Sequence, residues 1–219
     1  MSFYRKPVQR LSDVWQAVRN DSFLNKQFYI PELQINGDGY HAVQVLTRVI
    51  WRIRPEIRQI IEQHKNNLNL GHLPYAGLWI RRGDKINEAS YVAVSEYAKK
   101  VKELNSDIHR VFIDTDDYRC VEEFKQLNPG WEVFTMCDTQ KRGHYQFNFN
   151  QQTPVERRRE IIQLLTIIDI LKESTFFIGT FSSNFARLVG LLKGIETCYS
   201  LDANASTRIL LTRHARTRL

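Results

Sequence analysis

The 219-residue chain is 42% hydrophobic and 11% aromatic, enough to bury a sizeable core in one large domain or one and a half small ones. No stretch approaches the uninterrupted apolar run that spans a bilayer. Its net charge of +7 lies at the two ends, because residues 1–70 and 151–219 each carry 10 basic and 6 acidic side chains, against 11 and 12 in residues 71–150.

Met1–Pro7 has neither the apolar core nor the cleavage site of a signal peptide. Asn36-Gly-Asp-Gly39 is the first clear break, a cluster of turn formers. Tyr40 to about Asn66 then has helical periodicity, with Val43, Leu46, Val49, Ile50 and Ile53 on one face. Pro55 interrupts it and starts a second helix, from Glu56 to about His64. Residues 66–74 are a connector. Beyond them the pattern alternates: strand 78–82, helix 90–104, strand 110–115, helix 118–127, strand 131–136. In the helix over 90–104, Val94, Tyr97, Ala98 and Val101 face inward. A polar loop, 137–152, is long enough to be a functional element. Helix 153–173, strand 175–179, helix 184–193 and strand 196–201 complete the set. The alternation predicts an α/β fold: a Rossmann-like, mostly parallel sheet with helices on both faces, preceded by a helical N-terminal segment. The expected division is a helical lead over 1–70 and a Rossmann-like domain over 71–219. The chain ends in a tail bearing Arg208, Arg213, Arg216 and Arg218, which reads as a solvated segment, so no nucleic-acid partner is expected. Cys120, Cys137 and Cys198 are odd in number, lack metal-ligand spacing and read as reduced packing residues.

In open parallel sheets ligands bind beyond the carboxyl ends of the strands. Three loops have that position and suitable chemistry. The first is Arg81-Arg82-Gly83-Asp84-Lys85 and the residues to Glu88. A desolvated arginine needs an anionic partner, and its planar fork matches the oxygens of a pyrophosphate; the alternative is an arginine pair that returns the chain to solvent. The second is Asp114-Thr-Asp116-Asp117, an acid cluster that can hold a metal or a sugar hydroxyl or cap the next helix; Asp117 reads as the cap and Asp116 as a site candidate. The third, Gly179–Arg187, brings Ser182 or Ser183 to cap the helix that starts at Asn184, whose free amides suit an anion. The first and third loops together make a pyrophosphate clamp.

Thr153, Pro154 and Glu156 form a capping box for the helix that follows. Asp169 falls on its apolar face, four residues after Leu165 and seven after Ile162. A carboxylate there must meet a donor. Guanine offers N1–H and N2–H₂; a nearby arginine is the other choice. No G-x-G-x-x-G, P-loop or nucleophile elbow is present, and the six histidines show no ligand spacing.

These pieces, in this order, resemble the fucosyltransferase superfamily, closest to its α-1,6 branch. The family strand ending His-x-Arg-Arg-x-Asp-Lys is matched by Trp79-Ile-Arg81-Arg82-Gly-Asp84-Lys85, and its Thr-Asp-Asp by Thr115-Asp116-Asp117. The Asp-bearing leucine-rich helix and Thr-Phe-Ser-Ser are matched by Asp169 and Thr180–Ser183, and the upstream Ile-Arg-Pro by Ile53-Arg54-Pro55. The likeness covers roughly residues 40–200. It implies a GT-B-like half that binds a GDP-sugar, and an inverting, metal-independent transfer of fucose from GDP-fucose to a glycan acceptor. Arg81 would grip the β-phosphate, with Arg82 and Lys85 near the nucleotide. Asp169 would read guanine, with Ser182, Ser183 and Asn184 near the pyrophosphate. Glu88, Asp84 or Asp116 would be the base. Two departures stand out: Trp79 replaces the family histidine, and Glu88 falls one residue early for the family acid. A transferase for another GDP-sugar and a catalytically silent nucleotide-sugar module are the alternatives. A complete chain would be soluble and cytoplasmic; a fragment of a larger, membrane-anchored member would have further domains and work in the Golgi lumen.

Overall fold

The structure, a computed structural model, describes residues 25–82, 91–143 and 151–202. The chain divides into two compact units at Trp51/Arg52. In the first, strands β1 (Gln27–Ile30) and β2 (Ile35–Asp38) pair antiparallel, with Gln27 opposite Asp38. Helix α1 (Gly39–Ile50) starts where the Asp38 carboxylate accepts from the His41 amide at 2.9 Å. Ala42 and Thr47 are buried, whereas Leu46, Val49 and Ile50 of the apolar face are exposed. The segment expected to be a helical lead thus contains a hairpin as well.

The second unit opens with α2 (Pro55–Asn67), whose proline takes the first helical position, where no amide is needed. Helix α2 packs along a later helix, so it belongs with the sheet rather than with the N-terminal unit, and the division falls before it, not at residue 70. Five parallel strands follow: β3 (Ala76–Ile80), β4 (Arg110–Thr115), β5 (Glu132–Phe134), β6 (Phe176–Gly179) and β7 (Cys198–Ser200). Their order across the sheet is β5-β4-β3-β6-β7, with Leu78 beside Ile113 on one side and Ile178 on the other. Helices α3 (Val94–Leu104) and α4 (Arg119–Leu127) lie on one face. There Val94, Tyr97, Val101, Val121 and Phe124 join Leu78, Ile80, Val111, Ile113 and Ile178 in one buried cluster. Helices α5 (Pro154–Glu173) and α6 (Asn184–Lys193) follow β5 and β6. On β3, Gly77 admits the end of α5, since a Cβ there would stand 2.8 Å from Ser174 Oγ. The capping box at Thr153 and Glu156 is formed, and all three cysteines are buried thiols. Among the described residues no helix is long and apolar enough to cross a membrane.

Candidate functional site

Strand order reverses direction at β3: the chain builds outward to β4 and β5, then returns to place β6 on the other side. At such a switch point an open parallel sheet carries its ligand crevice, beyond the carboxyl ends of β3 and β6. Arg81 and Arg82 leave β3 there, and Thr180–Ser183 leave β6.

Asp116 organises the β3 side. Arg81 Nη1 lies 2.9 Å from its Oδ2, and the Arg82 amide donates to Oδ1 at 2.6 Å. The Gly143 amide donates to its carbonyl oxygen, also at 2.6 Å. One residue thus ties the ends of two strands to the loop after β5. Burial pushes the Asp116 carboxyl up from its ordinary value, against the pull of the Arg81 guanidinium. Arg82 turns elsewhere: its guanidinium donates to the carbonyls of Arg81 and Val92 at 2.9 Å each and lies 4.9 Å from the Tyr91 ring centre. Asp117, expected as the cap, lies one residue before the N-cap Tyr118; it accepts from the Arg119 amide at 3.0 Å and pairs with that residue's guanidinium.

On the β6 side, Ser183 is the N-cap of α6, accepting from the Ala186 amide at 3.1 Å. The same buried hydroxyl receives the Trp79 indole N–H at 3.2 Å. Trp79 is buried, with its ring centre 4.4 Å from that of Phe185. The residue that stands for the family histidine therefore packs under α6 and uses its one donor internally. Ser182 donates its amide at 3.0 Å to Asp202, which also takes the Phe181 amide at 2.6 Å. Thr180 is buried, and its hydroxyl finds no hydrogen-bond partner among the described residues. Asn184 is exposed at the start of α6.

Asp169 is not brought to these loops. Its carboxylate meets Lys172 at 2.7 Å, Arg58 at 2.9 Å and Lys65 at 3.2 Å. The next residue's carbonyl accepts from the Tyr75 hydroxyl at 2.7 Å, and Tyr75 immediately precedes β3. Asp169 thus sits at the amino ends of the strands, across the sheet from Arg81. Burial alone would raise its carboxyl, but the three cations outweigh that and hold it at about 2. Of the two donors open to it from sequence, basic side chains are the ones it meets, because the last turns of α5 pack against α2. Asp84, Lys85 and Glu88 lie outside the described residues.

Two further acids stand near the crevice. Asp114, beside Trp79 in register on β4, is fully enclosed, and its burial lifts the carboxyl to about 7, with Lys141 opposing and Asp116 adding. The sequence puts Asp114 in the acid cluster of the second loop; it lies within β4 itself. Asp202, two residues past β7, had no local signal, since its partners come from a loop 20 residues earlier.

A family model described as alpha-(1,6)-fucosyltransferase N- and catalytic domains matches residues 34–202. An alpha-(1,6)-fucosyltransferase of Caenorhabditis elegans is 29% identical over 149 residues, which make up 64% of this chain and 25% of that protein. The chain thus spans about a quarter of that relative's length. The crystal structure of NodZ alpha-1,6-fucosyltransferase soaked with GDP-fucose overlaps with a TM-score of 0.50, at 16% identity, over 87% of this chain and 64% of the other. That likeness is one of fold.

Proposed function

We propose, since this chain belongs to the alpha-(1,6)-fucosyltransferase family, that it transfers fucose from GDP-fucose to a hydroxyl of a glycan acceptor. The observation that carries the reading is Arg81, braced by the buried Asp116 at the topological switch point. As the bond from fucose C1 to the phosphate oxygen breaks, its electron pair leaves with GDP, and the guanidinium meets that charge. The acceptor oxygen bonds to C1 from the opposite side, which inverts the configuration, and a base takes its proton. Arg81 supplies the charge stabilisation, without a metal. Asp84 and Glu88 are the candidates for the base. Asp116 is committed to Arg81 and the Arg82 amide and acts as the arginine's holder. Asp169 acts as an ion-pair residue between α2 and α5, so guanine is recognised by other groups.

A silent nucleotide-sugar module is the second reading, favoured by Trp79, whose indole N–H is spent on Ser183 rather than on a nucleotide. A transferase for another GDP-sugar shares the same site. A thermal-shift panel of GDP, GDP-mannose, UDP-glucose and ADP-ribose in EDTA, with GDP release from GDP-fucose, separates these. At about a hundred times its dissociation constant GDP adds about 2.7 kcal/mol, a rise in Tm of about 5–10 °C. Stabilisation that needs magnesium or manganese would remove the metal-free mechanism. Equal shifts with UDP-glucose would remove guanine selectivity, and binding without turnover would select the silent module.

A further inference from the structure

The loop between β6 and α6 holds a carboxylate where a phosphate is expected. Asp202 accepts from the amides of Phe181 and Ser182 at 2.6 and 3.0 Å, and from the Ser200 hydroxyl at 2.7 Å. Adjacent backbone amides at the entry to a helix are the usual cradle for a phosphate. Here the pair is occupied by the protein's own side chain. Each N–H makes one good hydrogen bond, so a diphosphate gains these two only by displacing Asp202. Displacement is unfavourable, because the carboxylate has three donors and two of its bonds are charge-assisted backbone contacts. Its backbone is tied as well, since the Leu201 amide donates to the Gly179 carbonyl at 3.0 Å and extends the pairing of β6 with β7. The buried Thr180 hydroxyl, without a hydrogen-bond partner among the described residues, begins the same loop.

We infer that Asp202 is a positioning residue of the donor site: it withholds the Phe181 and Ser182 amides from the diphosphate and so confines the leaving group to the Arg81 side of the crevice. The inference rests on the GDP-fucose reading above. With the amides closed and a fixed negative charge beside them, a diphosphate settles where Arg81 can follow its developing charge. With them open, it settles on the loop, in a register from which Arg81 does not assist departure. Unproductive binding of that kind lowers kcat and KM together rather than raising KM.

The test compares wild-type protein with Asp202→Asn and Ser200→Ala, measuring GDP affinity by calorimetry and GDP release from GDP-fucose in steady state. The asparagine has one acceptor oxygen for two amides and frees the other. Its kcat should fall about tenfold or more while KM falls with it, and GDP should bind at least as tightly as to wild type. Ser200→Ala, which leaves the charge in place, should move the same quantities in the same direction by about two- to threefold, and it serves if the asparagine variant does not fold. GDP affinity lost in step with turnover would make Asp202 a loop anchor and overturn the inference. Tighter GDP with unchanged or faster turnover would make it a simple competitor, which also overturns it. A wild-type protein that neither binds GDP nor hydrolyses GDP-fucose would refute the underlying reading itself, before any variant is compared.

Discussion

Replacing Asp169 by asparagine removes the one anion that holds Arg58, Lys65 and Lys172 together. The folded carboxyl is held at about 2, against an ordinary value of 3.8. That difference corresponds to about 2.5 kcal/mol. The carboxylate side chain is only 2% exposed, but its cations are 37%, 17% and 30% exposed and partly screened, so about 1.5 kcal/mol is the better expectation. For a chain of this length the Tm should drop by about 3–6 °C at pH 7. The sign follows from the depressed value. The folded state resists protonation, so the stabilisation is present above the unfolded value of 3.8 and is lost as pH falls through about 2. Urea unfolding of wild type and Asp169→Asn from pH 7 to pH 2.5 should therefore show a gap that begins to narrow below about pH 4 and falls to about a third by pH 2.5. GDP affinity should be unchanged in the variant. A gap undiminished at pH 2.5 would refute the ion-pair account. So would a more than tenfold loss of GDP affinity that spares inosine diphosphate, which would return Asp169 to guanine recognition.

Arg81→Lys keeps the charge but loses the two-pronged contact, and a loss of about 3 kcal/mol in the transition state slows GDP-fucose turnover about a hundredfold; near-normal turnover would take Arg81 out of the mechanism. Asp114→Asn should raise stability above pH 7. Burial holds the wild-type carboxyl at about 7, so between pH 4 and 7 the folded state keeps a proton that the unfolded chain has released, and stability falls as pH rises through that window. Melting curves from pH 4 to 8 should show the variant ahead at pH 8 and level with wild type near pH 4.

The strands and helices of the second unit were legible because the hydrophobic period changes cleanly along it, as at Val94, Tyr97, Ala98 and Val101, all buried. The cap residues were equally legible, because capping is local: Thr153, Glu156 and Ser183 act within three residues of themselves. The parallel order that makes Arg81 and Thr180 neighbours was implied by alternation, although nothing in either segment alone encodes it. What escaped was settled by distant partners. Asp169 was recognised as a buried carboxylate in need of donors, but its periodicity could not say that α2 would bring Arg58 and Lys65. Arg82 looked equivalent to Arg81 because both end the same strand. Both lie just beyond β3, and their partners separate them: Asp116 for one guanidinium, the Arg81 and Val92 carbonyls for the other. The hairpin before α1 was missed because its strands are four residues each, with no sustained alternation to announce them.

Trp79 gives this fold an optical handle on its own crevice. The indole donates to the cap of α6 and its ring rests on Phe185, in that helix's first turn, so any rearrangement where the β6 loop enters α6 changes the surroundings of a single buried chromophore. Of the chain's other tryptophans, Trp131 lies beyond α4 against Phe124 and His109, away from the strand ends that carry Arg81. With Trp15, Trp51 and Trp131 replaced, emission from Trp79 reads the state of the loop without a label and without knowledge of the acceptor.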